Sequence, residues 1–235
     1  PKFEVKHKPR KTKMKFFLPD WDDRVDPLYD FEKDEPTQNR EPYKHDVYHY
    51  ELYGALSCDG ILVSKSVLED NSKKKKLASQ IGIHKYLRLP RSVPVIGDCG
   101  AFSYIAEKNP PFNTKEILRY YQDLDFDLGV SIDHLIVPGI LMKKRYFRHN
   151  GQKWTQIKSS EFEEMKNEDT VLLVNSRSQI KQRNLFDSSD AILEEEHIDE
   201  KERKRRYDLT IKNAKDFIRG HKKGKFKFIP IGAAQ

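Results

Sequence analysis

The sequence predicts an α/β fold in which parallel strands are joined by crossover helices. Three observations predict it. Short apolar runs that suit buried strands recur at residues 60–63, 92–97, 127–132 and 226–231. Helical segments fall between them, at about 73–81 behind a capping Ser72 and, with apolar residues at helical spacing, at about 113–124 and 198–219. The two kinds alternate, and alternation of β and α units implies a parallel sheet rather than a stack of hairpins.

Residues 1–52 are rich in Pro, Asp and Tyr and carry little periodicity, so they read as an arm of extended segments and turns. Asp20, Asp22, Asp23, Asp26 and Asp30 have mixed spacing broken by Trp21 and Pro27. That spacing fits no compact ligand set and reads as solvated loop. His45 and His49 lie four apart in HDVYHY. No Glu follows the first of them, as a helical zinc motif requires, and both read as structural. From residue 53 the pattern changes. Residues 53–56 and 60–63 suit a hairpin or a buried strand. Ser72 caps a helix over about 73–81. SVPVIG, 92–97, is a strand in which Pro94 is awkward for a central position. Asn113 with Glu116 three residues on closes a capping box. The helix that follows carries Ile117, Leu118, Tyr121 and Leu124 on one face. DLGVSI, 127–132, is the next strand. Residues 134–190 read as a long, polar, irregular insertion with a strand near 171–174. A helix over about 198–219 has Tyr207, Ile211, Ala214 and Ile218 on one face, with Gly220 and Gly224 ending it. FKFIPI, 226–231, is the last strand. The organisation expected is an arm over 1–52 and an α/β unit over 53–235 interrupted at about 134–190.

The chain has 235 residues, enough for a real core without staples. No apolar run approaches the roughly twenty residues of a membrane helix, and PKFEVKHKPRKTKMKFF has no apolar stretch of a signal peptide. Cys58 and Cys99 are too few for a disulfide framework or a Cys-rich zinc site, so a reducing, cytoplasmic home is the default. The net charge of +7 favours a polyanionic partner through counterion release, with solubility as the plainer reading beside it. Basic residues crowd 2–15, 73–76, 143–148, 201–206 and 221–227, and aromatics interleave the first and third of these. Lys143, Lys144, Arg145 and Arg148 are the candidates for contacting a nucleic-acid backbone.

Three strand ends hold the residues with chemistry. After SVPVIG come Asp98-Cys99-Gly100-Ala101-Phe102. After DLGVSI come Asp133-His134, and after FKFIPI come Gly232-Ala233-Ala234-Gln235. Residues at the C-terminal ends of parallel strands line the mouth where α/β enzymes work. Two carboxylates and an amide suit a flat, polar heterocycle, because carboxylates accept from ring N–H and amino groups while Gln donates and accepts. Phe102 offers a stacking face. Plainer readings stand beside these. A strand-end Asp also forms caps and turns. Cys99 without a committed His partner reads as a small buried residue, and His134 as structural. Gly100-Ala101 is too short for a phosphate-binding loop.

The run V-P-V-I-G-D-C-G-A-F-S resembles the tRNA-guanine transglycosylase signature, a hydrophobic strand followed by D-S-G-G-F/Y. G-V-S-I-D-H resembles that family's second strand-end aspartate, and I-P-I-G-A-A-Q its G-x-x-Q-G motif. The D-C-G-A-F, G-V-S-x-D-H and G-A-A-Q forms are closer to the DNA-modifying branch, the DpdA-like DNA-guanine transglycosylases. The likeness covers about 53–135 and 198–235. It implies the N-terminal part of a (β/α)8 TIM-type barrel, incomplete in this chain. It also implies replacement of guanine in DNA by a 7-deazaguanine base of the preQ0 type, through a covalent aspartyl-nucleotide intermediate. Under that likeness Asp98 is the general acid/base, Phe102 stacks on the base, and Asp133 and Gln235 bind its polar edge. The target nucleotide must leave the stack or be single-stranded.

Several positions depart from the tRNA enzymes. Cys99 stands for Ser and Ala101 for Gly. His134 follows Asp133 where Glu is usual, and Ser64-Lys65-Ser66 stands where those enzymes have Asn-Thr-Tyr-His. These departures favour DNA over tRNA as the partner. The family's nucleophilic Asp and its Cys/His zinc site lie beyond the Gln of the third motif, so the nucleophile is expected beyond this chain. No cofactor is expected within it, and these residues alone are expected to be inactive. Helper proteins are left open. The alternatives are a tRNA-guanine transglycosylase and a non-catalytic nucleic-acid-binding module. A small-molecule α/β enzyme with paired carboxylates is a third, and it lacks metal ligands at sensible spacing.

Overall fold

The computed structural model describes residues 6–7, 14–165, 171–176 and 192–233. They fall into two compact units. The first comprises the described residues within 1–100, 112–133 and 210–233, and the second those within 101–111 and 134–209. No helix among the described residues is long and apolar enough to cross a membrane.

The first unit is built on five parallel strands: β1 (Phe17–Asp20), β2 (Gly60–Ser64), β3 (Val95–Asp98), β4 (Leu128–Val130) and β5 (Ile229–Ile231). They lie side by side in chain order. A doubly wound sheet reverses direction at a switch point. This one does not, and its order is that of consecutive staves in a (β/α)8 barrel. The segment expected as an N-terminal arm therefore supplies a strand of the sheet. Pro19 sits on that strand opposite Leu62, and as an edge strand among the described residues β1 tolerates the missing N–H. Pro94 falls just before β3. Its carbonyl accepts from Ile61, and its lack of an N–H costs nothing there.

Between the strands run α1 (Ser72–Ile81), α2 (Thr114–Asp123) and α3 (Glu200–Gly224), the last joining this unit from Thr210 onward. Asn71, not Ser72, caps α1, its side chain accepting from the Lys73 N–H. The expected capping box at Asn113 and Glu116 is present, with bonds of 3.1 and 2.8 Å. The face of α2 is anchored by Tyr121, whose ring lies on two strands at once. A Cβ at Gly97 of β3 or at Gly129 of β4 would come within 2.3 Å of that ring. Its hydroxyl donates to the Val130 carbonyl at 2.9 Å. Phe126, Phe217 and Phe228 surround it, with ring centroids 5.4, 6.2 and 5.5 Å away. Gly220 does not end α3. It lies inside the helix, where a Cβ would meet Leu118 at 2.8 Å, and so allows α3 to approach α2 closely.

In the second unit the expected irregular insertion contains an antiparallel sheet. Gly139–His149 is its central strand and pairs with Trp154–Ile157, Val171–Ser176 and Ile192–His197. Asn150-Gly151 turns the first pair, Gly151 at φ +90° and Asn150 accepting from Gln152 and Lys153. A small core holds Ile140 and Ile198 against Ile105, Ala106 and Val137. Glu202 receives Arg205 and Arg206, whose hydrogen bonds pull its carboxyl down to about 2.

Candidate active site at the strand ends

The sheet pleat decides which strand-end side chains meet. Gly97 and Gly129 are in register and face the Tyr121 ring. Successive residues on a strand point to opposite faces, so Asp98 projects to the other face. Ser64 is its register partner on β2 and shares that face. The Ser64 hydroxyl donates to Asp98 Oδ2 at 2.9 Å, and the Gly100 N–H donates to the same oxygen at 2.8 Å. Gly100 is required there. Its φ is +81°, and a Cβ would lie 1.9 Å from Ser66 Oγ. Asp98 is thus aimed by a neutral hydroxyl and a backbone amide.

Asp133 follows β4 by three residues. The fully buried Cys99 thiol donates to its Oδ1 at 3.1 Å. One ligand-capable atom from each of Asp98, Cys99 and Asp133 lies within 4.8 Å of the others. That spacing would suit a divalent ion, but the thiol–carboxylate hydrogen bond already joins two of the three. The segment after β5 is fastened to the same end of the sheet. Ser131 donates its N–H to the Ile231 carbonyl and accepts from the Ala233 N–H at 2.9 Å.

The structure therefore brings Asp98 and Asp133 together, as the sequence leads one to expect. Gln235 lies outside the described residues, as do Ala234 and most of the basic segment 2–15. Phe102 belongs to the second unit. It sits in a short 3₁₀ helix, Ala101–Tyr104, and the residue is 72% exposed. Lys143, Lys144, Arg145 and Arg148 lie on the central strand of the insertion, Arg148 in register with Thr155 and Val171.

His134 is not a base. It is fully buried, its Nε2–H donates to the Glu107 carbonyl at 2.7 Å, and its ring meets Tyr104 edge-on. Burial, helped by Arg206 and Arg205, pushes its pKa down to about 4. Lys65 is likewise turned inward, between the rings of Phe112 and Tyr120 and paired with Glu69. Asp20 departs from the solvated-loop reading. It ends β1 in register with Val63, in the row of Gly97 and Gly129 that faces the helix layer. Burial, reinforced by Asp22 and Asp23, raises its pKa to about 6. Asp22 pairs with Arg24 and Lys74, and Asp26 accepts from Thr37.

Sequence reasoning passes over two donors, Ser64 and the Cys99 thiol. Both occupy positions where the strand-end motifs depart from the tRNA-enzyme pattern, and that departure is the signal that was available.

No protein-family model matches the chain. Comparison with curated proteins finds a DNA-guanine transglycosylase of Salmonella montevideo, 34% identical over 133 residues. The match takes in 53% of this chain and 32% of that protein. The chain thus spans about a third of the length of the curated relative it matches. Over about half its length, this chain is similar to that DNA-guanine transglycosylase.

Proposed function

We propose that the protein exchanges guanine in DNA for a 7-deazaguanine base. The observation that carries this reading is the meeting of Asp98 and Asp133 at the ends of adjacent parallel strands, each held by a neutral donor. In this reading Asp133 accepts from the base's polar edge, and Gln235 completes that edge. Asp98 is the general acid/base. An aspartate outside these residues attacks C1′. The C1′–N9 bond breaks as the ester bond forms, and Asp98 gives the departing guanine its proton. The incoming base returns a proton to Asp98 as its own glycosidic bond forms and the ester is released. Phe102 stacks on the flipped base. The cations of the insertion strand neutralise phosphates.

The test is incorporation of labelled guanine into duplex DNA by the intact protein. Exchange into DNA and not into tRNA is expected. Exchange into tRNA alone would overturn the substrate, and salt-sensitive binding without exchange would favour a non-catalytic module.

A further inference from the structure

We infer that Cys99 is a positioning residue for Asp133 and thereby tunes recognition of the base. The inference rests on the base-exchange reading and extends it to a residue outside the usual acid/base and base-edge set. Cys99 is fully buried, so its thiol serves neither solvent nor an external nucleophile's role. It directly follows Asp98 in sequence, its thiol lies 3.1 Å from Asp133 Oδ1, and one ligand-capable atom of each of the three residues lies within 4.8 Å of the others. Asp133 lies beyond the end of β4, on irregular backbone, where the sheet ladder no longer fixes its direction. The S–H donor supplies that direction from the neighbouring strand. A carboxylate held by a donor at one oxygen presents acceptor geometry, which selects a ligand edge rich in N–H groups. Gly100, at positive φ, and the packing of Ser66 against it fix the turn from which Cys99 approaches.

The experiment has two readouts. The first is the infrared S–H stretch of the intact protein, which falls in frequency when the thiol donates a hydrogen bond. The chain has two cysteines, so the Cys99 band is identified by its loss in Cys99→Ala. In Asp133→Asn the Cys99 band moves up while the Cys58 band stays. The second readout is the KM and kcat for labelled guanine. Cys99→Ala raises KM roughly tenfold, the cost of one hydrogen bond to a charged group, and leaves kcat within about threefold. Cys99→Ser, which keeps a donor, restores KM. Melting temperatures of all three variants control for folding. If Asp133→Asn fails to fold, the wild-type Cys99 band is compared with that of a simple thiol in an apolar solvent, where it donates no hydrogen bond, and coincidence overturns the inference. An unmoved Cys99 band in folded Asp133→Asn overturns it too. So does an unchanged KM in Cys99→Ala, or a serine variant as impaired as the alanine. A wild-type protein that exchanges no guanine overturns the base-exchange reading itself, a result separate from these.

Discussion

Each end of the parallel sheet carries aspartates, and the two ends use them differently. At the N-terminal end, Asp127 Oδ2 accepts the Val95 N–H at 2.7 Å and faces His84 Nε2 at 2.8 Å. Burial opposes ionisation of that carboxyl, but the bonds from His84 and Val95 outweigh it and hold its pKa below the ordinary range. Its partners are the backbone of the next strand and a buried ring, so it clamps β3 to β4. At the C-terminal end, Asp98 and Asp133 are held by a hydroxyl, a glycine amide and a thiol, none of which carries charge. Two carboxylates held near one another by neutral donors repel. They suit a ligand that brings its own donors. The same residue type is structural or chemical according to what satisfies it.

That contrast can be broken by experiment. Asp98→Ala should lower base exchange by about 10²–10⁴-fold with little change in melting temperature; a protein that unfolds instead would make Asp98 a second clamp. Gly97→Ala, in the middle of the same sheet, should cost on the order of 1–3 kcal/mol of stability, because the Tyr121 ring must move. Denaturant melts would read it, and a neutral outcome would mean the ring relaxes freely. Asp127→Asn should cost about 1–2 kcal/mol at neutral pH and spare the exchange chemistry of the folded protein. Asp127's folded pKa lies below the unfolded value, so its stabilisation is present above about pH 4. It fades as pH falls through the folded value, and the variant and wild type should converge in acid.

The smallest effect belongs to Asp20. Its folded pKa of about 6 exceeds the unfolded value of 3.8. The stability it contributes is therefore full below about pH 4 and is lost as pH rises through 6. Asp20→Asn should leave the protein more stable than wild type above pH 6, by on the order of 1 kcal/mol. The difference should vanish in acid. A variant less stable at pH 7 would show that the ionised carboxylate has a partner the burial argument misses.

Much of the first unit is legible in the residues because its signals are local. The capping box at Asn113, the helical face of Ile117, Leu118 and Tyr121, and the short apolar strands all act within a few residues. The insertion hides its sheet because its central strand, GILMKKRYFRH, mixes cations and aromatics without a clean alternation. The Asn150-Gly151 turn is the cue there. The strand at 17–20 hides for another reason. Nothing in four residues containing a proline marks an edge strand until its neighbour is known.

The amino-acid order alone determines the α/β class, the strand-end aspartates 98 and 133, and a positive charge suited to nucleic acid. These follow from periodicity, spacing and composition, which need no long-range contacts. Which face each strand-end side chain takes is settled only by folding, since register and pleat depend on neighbours distant in the chain. That is why Asp98 meets Ser64, why Asp20 turns to the helix layer, and why a thiol 34 residues away aims Asp133.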